Sequence, residues 1–225
     1  MWIIGLLLIA YVVVFEPTKK KFKLSGYSAA SGKSLLAVFG NKGDYGEYLT
    51  FRILERTEEY HKILTNVYVP REDGNTTEID LVMIAESGVY VFESKNYSGW
   101  IFGNNRQKDW VQTLPKGHKN YFYNPVWQND GHIKALRGIV KFDHPKLYKS
   151  YIIFSERCEL KEVEVYKEDV DVIKRNQLQE FLEKDLSIRE KIMTNWTVDG
   201  LYYHLSQYTL QSEEVKAQHI NNLRR

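Results

Sequence analysis

Residues 78–95 read EIDLVMIAESGVYVFESK, and no other stretch limits the fold as much. Two apolar runs of strand length, rich in Val, Ile, Tyr and Phe, are parted by Ser87-Gly88. Such runs with a turn between them form an antiparallel strand pair that belongs in a core. HKILTNVYVP (61–70) adds a third strand ahead of them, closed by a proline and the turn REDGNTT. Upstream, KGDYGEYLTFRILERT (42–57) spaces Tyr45, Tyr48, Leu49, Ile53 and Leu54 as one face of a helix. Downstream, SGWIFG and QKDWVQ flank Gly103-Asn104-Asn105 as a further hairpin. NPVWQNDGHIKALRGIVKF (124–142) is a helix entered through Asn124-Pro125, and SYIIFSE (150–156) is a short buried strand. A strand reached from a meander through a helix predicts an α/β fold: a mixed sheet flanked by helices. After residue 157 the pattern predicts a strand at LKEVEV and helices near 176–184 and 187–223.

The rims of the central pair are charged. Glu78 and Asp80 open the first run, Glu93 closes the second, and Lys95 follows two residues later. Strand alternation puts Glu93 and Lys95 on one face. With the turn centred at Ser87-Gly88, residue i faces roughly residue 175 minus i, which sets Asp80 opposite Lys95. Two carboxylates this close repel when both are ionised. A divalent cation between them relieves that repulsion, and oxygen ligands favour Mg²⁺ or Mn²⁺. A lysine beside it can orient water or steady a phosphate, which is a workable arrangement for phosphodiester hydrolysis. A surface salt bridge of Lys95 with Glu93 or Asp80 accounts for the same spacing without any chemistry.

Asp80, Glu93, Ser94 and Lys95 form a D…ESK pattern similar to the PD-(D/E)xK signature of restriction-endonuclease-like nucleases. TEIDLVMIAESGVYVFESKNYSGWIFG, with KGDYGEYLTFRIL before it and NPVWQNDGHIKAL after it, more closely resembles the nuclease-related domain (NERD) family over about residues 42–155. The resemblance implies a restriction-endonuclease-like core that hydrolyses DNA with Mg²⁺ or Mn²⁺, RNA remaining open. It implies Asp80 and Glu93 as metal ligands with the Ser94 carbonyl, and Lys95 as the catalytic lysine. It adds Glu47 on the first helix and Gln128 on the later one as catalytic positions. The proline of the superfamily signature is Ile79 here, a position that shapes the strand rather than the chemistry.

Other candidates carry less. Lys116, His118 and Lys119 make a local basic loop suited to phosphates. Trp100, Trp110 and Tyr97 could stack on bases or simply pack. His118 and His132 could touch phosphate or serve as bases, and no His or Cys spacing supports zinc.

The first residues differ in kind. MWIIGLLLIAYVVVF is uncharged, and Lys19, Lys20, Lys21 and Lys23 follow it. The run is shorter than the roughly 20 residues that span a bilayer comfortably, which a thin membrane accommodates. Lysines after the run put the remainder in the cytoplasm. The expected organisation is a single-pass transmembrane helix at 1–16, a basic segment and flexible linker at 17–41 with the tether at 25–34, a core at 42–157 and a C-terminal extension at 158–225. A net charge of +2 excludes a dedicated nucleic-acid coat protein, and one cysteine excludes an internal disulfide framework. The expectation is thus a membrane-anchored, metal-dependent nuclease at the cytoplasmic face of the cell membrane, with protein partners and oligomeric state open. Its rivals are a catalytically silent nucleic-acid-binding module and a membrane-associated interaction scaffold.

Overall fold

A computed structural model describes residues 16–212 and 214–216. The apolar run expected to anchor the chain lies outside the described residues. Among the described residues no helix is long and apolar enough to cross a membrane.

The core is a five-stranded mixed sheet in the order β1-β2-β3-β7-β9. Strands β1 (His61–Pro70), β2 (Thr76–Ala85) and β3 (Gly88–Lys95) form the antiparallel meander. Strands β7 (Tyr148–Phe154) and β9 (Val170–Lys174) continue it in parallel. Both faces are covered, as near-continuous apolar runs require. On one face Leu81, Met83, Tyr90, Phe92 and Tyr151 pack with α4 (Lys42–Leu54) and α6 (Leu178–Ile188). On the other, Val82, Ile84, Val89 and Val91 pack with α5 (Pro125–Ile139) and α7 (Asn195–Ser206).

Between β3 and α5 the chain leaves for a second sheet, ordered β6-β5-β4-β8. It contains β4 (Gly99–Asn104), β5 (Asp109–Thr113), β6 (Lys119–Tyr123) and β8 (Cys158–Glu164). Its inner face contributes Ile101 and Trp110 to a third cluster with Ile152 and Phe154. Both sheets are mixed and flanked by helices, the expected class, although the second sheet was visible in the sequence only as a hairpin.

Two expectations are corrected. Residues 25–34 are not a loose tether. Residues 16–40 fold as α1 (Glu16–Leu24), α2 (Tyr27–Ser31) and α3 (Leu35–Gly40), and they bury Phe22, Tyr27 and Val38 against α4. Tyr27 meets Tyr48 and Phe51 edge-on, at centroid distances of 5.6 and 5.4 Å. The long helix expected over 187–223 is interrupted as well. Residues 189–194 leave the helix so that Ile192 N and Met193 N both donate to Glu86 O at 2.9 Å, and Thr194 caps α7 by accepting from Thr197 N. Strand β9 lies in a stretch assigned to no element from sequence.

Candidate active site

The register of the meander builds the site. Leu81 faces Phe92 and Ala85 faces Gly88, so the loop is Glu86-Ser87 and Asp80 comes next in line opposite Glu93. The expected pairing of Asp80 with Lys95 is therefore corrected by two residues. Gly88 is not a turn residue but the first of the strand. Its φ is +146°, and a Cβ there would meet Leu147 O at 2.5 Å, where Val89 N docks at 2.7 Å. The glycine serves the parallel crossover to β7 rather than the turn.

Glu93 and Lys95 share one face at the β3 end, and α5 comes down on that face. Asn124 caps the helix by accepting from Val126 N at 2.9 Å, with Pro125 in its first turn. One turn further, Asn129 Nδ2 donates to Val91 O at 2.9 Å and to Ser150 Oγ at 2.7 Å, fixing the helix to the sheet. Gln128 and His132, four apart, then face the strand end. Lys95 Nζ donates to Glu93 Oε1 at 2.6 Å and to Gln128 Oε1 at 3.0 Å. His132 Nε2 meets the other oxygen, Glu93 Oε2, at 3.1 Å, and its Nδ1 lies 2.9 Å from Thr77 Oγ1. Burial acts to raise the Glu93 carboxyl, but the Lys95 ammonium and the His132 hydrogen bond overcome it and hold Glu93 at about 2. Burial likewise acts to neutralise Lys95, and Glu93 reverses that, so the ammonium is held above its ordinary range. Glu93 and Lys95 are an ionised pair at neutral pH.

Asp80 sits where the alternation of β2 breaks. Leu81 packs in one cluster and Ile79 in the opposite one, although two residues apart they would share a face in a regular strand. The partner position on β1 is Asn66, whose φ of +48° is left-handed and leaves it out of the ladder between Thr65 and Val67. Asparagine tolerates that conformation better than other residues with a side chain. Asp80 Oδ2 accepts from Ser94 N at 2.8 Å. Desolvation, then the charges of Glu93 and Glu47, push the Asp80 carboxyl well above the usual carboxylate range.

Glu47 reaches the same region from α4. Its Oε2 accepts from Tyr27 O–H at 3.3 Å and Asn66 Nδ2 at 3.3 Å, and lies 3.5 Å from Lys33 Nζ. Lys33 also binds Asp44 at 2.8 Å, and Asn66 Nδ2 also donates to Glu78 Oε1 at 3.2 Å. Desolvation is the main reason the Glu47 carboxyl is raised. Tyr27, Lys33 and Asn66 were not foreseen. Tyr27 and Lys33 lie in the supposed tether, and Asn66 interrupts an apolar strand, which was the one available signal.

The structure therefore brings Asp80, Glu93, Ser94, Lys95, Glu47 and Gln128 to one place. It keeps Lys116, His118 and Lys119 exposed on the second sheet, at the turn Pro115–Gly117 and the start of β6. Trp100 is half-exposed with Lys161 Nζ over its ring at 5.4 Å. Trp110 is buried against Phe154, and Tyr97 packs on Phe122, so both are packing residues. His132 is likewise no phosphate ligand, being buried between Glu93 and Thr77.

A divalent cation here would rest on the Asp80 and Glu93 carboxylates and the Ser94 carbonyl. Among the described residues no group of three or more His, Cys, Asp or Glu side chains is arranged to hold a metal. The smaller donor set still fits a hard cation. All its atoms are oxygens, and after burial itself the charges of Glu93 and Glu47 act on Asp80 against the single opposing charge of Lys95, a crowding of carboxylates that a cation would relieve.

The model of the nuclease-related domain (NERD) matches residues 42–155. An uncharacterized protein of Bacillus anthracis is 34% identical over 183 residues, covering 81% of this chain and 84% of that protein. No solved structure matches the chain.

Proposed function

Because the chain belongs to the nuclease-related domain family, we propose that it is a metal-dependent nuclease that hydrolyses phosphodiester bonds in DNA. The observation that carries the reading is the convergence on one spot of Asp80, Glu93, Lys95 and Gln128 from β2, β3 and α5. A surface salt bridge would need only Glu93 and Lys95. It would not need a second carboxylate, raised by burial and then by the first, nor a buried histidine bracing the first from behind.

When bound, Mg²⁺ or Mn²⁺ would supply charge stabilisation for the phosphate and lower the pKa of water. The chain's own residues do the rest. Lys95 remains a cation at neutral pH, so it acts through its charge on the phosphate or the attacking water rather than as a base. Gln128 fixes the direction of the ammonium. His132 and Thr77 hold Glu93 from behind, and Asn66, Tyr27 and Lys33 hold Glu47.

The apolar run at residues 1–15 and the lysines after it support membrane attachment with the folded part in the cytoplasm. Protease protection of the domain in intact cells tests this, and full-length chain in the soluble fraction without detergent contradicts it. One observation favours the silent binding module: both Glu93 oxygens already have partners. Incubation of the full-length chain with DNA and RNA in Mg²⁺, Mn²⁺ or EDTA separates the two. Metal-dependent cleavage supports the nuclease, and binding without cleavage on every substrate supports the module.

A further inference from the structure

The second sheet has an outer face the site does not explain. Trp110 and Phe122 point inward, Trp110 stacked on Phe154 and Phe122 edge-on to both. Their strand neighbours point out: Tyr121 is 70% exposed and Tyr123 47%, with Trp127 at 36% and Trp100 at 50%. Tyr121 and Tyr123 share one side of β6, which is an edge strand. The ring of Tyr123 lies 6.3 Å from that of Trp127, extending the row onto the first turn of α5.

This row is tied to the site at its α5 end. Trp127 is the neighbour of Gln128, which accepts the 3.0 Å hydrogen bond from Lys95. Exposed Arg106, Lys108, Lys116 and Lys119 flank the β5–β6 side, with Asp109 the acid among them. Glu159, Glu162 and Glu164 lie across the sheet on β8. An edge that is basic and aromatic together fits a polyanion with flat apolar faces. In a duplex those faces are hidden in the base stack, so only unpaired bases can use the rings. The spacing of Tyr121 and Tyr123, roughly 7 Å, is about twice the 3.4 Å rise of a stacked strand, so each ring can take a base from an extended one.

Resting on the nuclease reading above, we propose that the β6 edge, through Tyr121, Tyr123 and Trp127, is a stacking platform for single-stranded nucleic acid. The substrate is then a strand with unpaired bases beside the scissile bond.

The test measures anisotropy of a labelled oligonucleotide, single-stranded or annealed, with full-length protein in EDTA. The wild type should bind the single strand more tightly than the duplex. Tyr121→Ala with Tyr123→Ala, and separately Trp127→Leu, should lose roughly 5- to 100-fold of single-strand affinity and leave duplex affinity unchanged. Trp196→Ala with Tyr203→Ala, exposed rings on α7, should change neither. Circular dichroism checks that each variant folds. Equal binding of both forms by wild type, or folded β6 variants that keep single-strand affinity, overturns the platform and leaves this face to a protein partner. A parallel cleavage assay separates the two claims. Single-stranded substrate cut at the wild-type rate by the β6 variants defeats the platform alone. Single-strand binding that depends on the rings, with no cleavage by wild type, defeats the nuclease reading alone.

Discussion

Gln128 Oε1 accepts a 3.0 Å hydrogen bond from Lys95 Nζ, and β4, β5 and β6 of the second sheet are inserted between the two residues. The bond closes that excursion and sets the direction of the ammonium. Gln128→Leu should leave Lys95 paired with Glu93 and metal affinity unchanged. Single-turnover cleavage should slow by roughly 5- to 30-fold, on the order of 1–2 kcal/mol. An unchanged rate removes Gln128 from the site.

Asp80→Asn should stabilise the metal-free protein while abolishing metal binding. The Asp80 carboxyl is raised in the folded state, first by desolvation and then by Glu93 and Glu47. A carboxyl raised on folding holds its proton more tightly when folded, so its ionised form costs stability above the folded pKa. That cost disappears as pH falls below the ordinary value of 3.8. The gain from asparagine should therefore be largest near neutrality and should shrink on acidification. Urea titrations at several pH values, with calorimetry for metal, check both halves.

Residues before the family match at 42–155 are part of the fold. Tyr27 is fully buried and hydrogen-bonded to Glu47. Tyr27→Ala should cost about 3 kcal/mol or more, and a chain beginning at residue 42 should melt at a lower temperature than one beginning at residue 16. Equal melting temperatures would restore the tether that the sequence suggested.

Gly103 lies under the ring of Trp110, and a Cβ there would stand 2.3 Å from it. Gly103→Ala should destabilise by about 1–3 kcal/mol and displace Trp110, seen as a lower melting temperature and altered near-ultraviolet dichroism. An unaltered spectrum would contradict the packing of this sheet.

What the sequence disclosed follows from how local each signal is. Strand periodicity placed Glu93 and Lys95 on one face, and the Asn-Pro helix start placed Gln128 on α5. Family resemblance supplied Glu47. The register was off by two because Gly88 looked like a turn glycine, while its role is contact with Leu147. Asn66 left one trace, a polar residue breaking the apolar run of β1, but its left-handed backbone could not be read from that. Tyr27 and Lys33 were hidden because small polar residues around them resemble a linker, and only the packed fold shows that the tyrosine is buried. His132 was discounted for lack of zinc spacing, yet its partner is a carboxylate.

The most direct test of the central claim is single-turnover DNA cleavage in Mg²⁺ or Mn²⁺ by wild type, Lys95→Ala and Glu93→Gln, with DNA binding measured alongside. Dispersed phosphate contacts supply most of the affinity, so all three should bind DNA similarly. Lys95→Ala should retain metal binding and lose roughly 30- to 1000-fold in rate, on the order of 2–4 kcal/mol of transition-state stabilisation. Glu93→Gln should lose cleavage and metal together. Cleavage at the wild-type rate by Lys95→Ala would place the chemistry elsewhere and reduce this cluster to a braced ion pair at a sheet end.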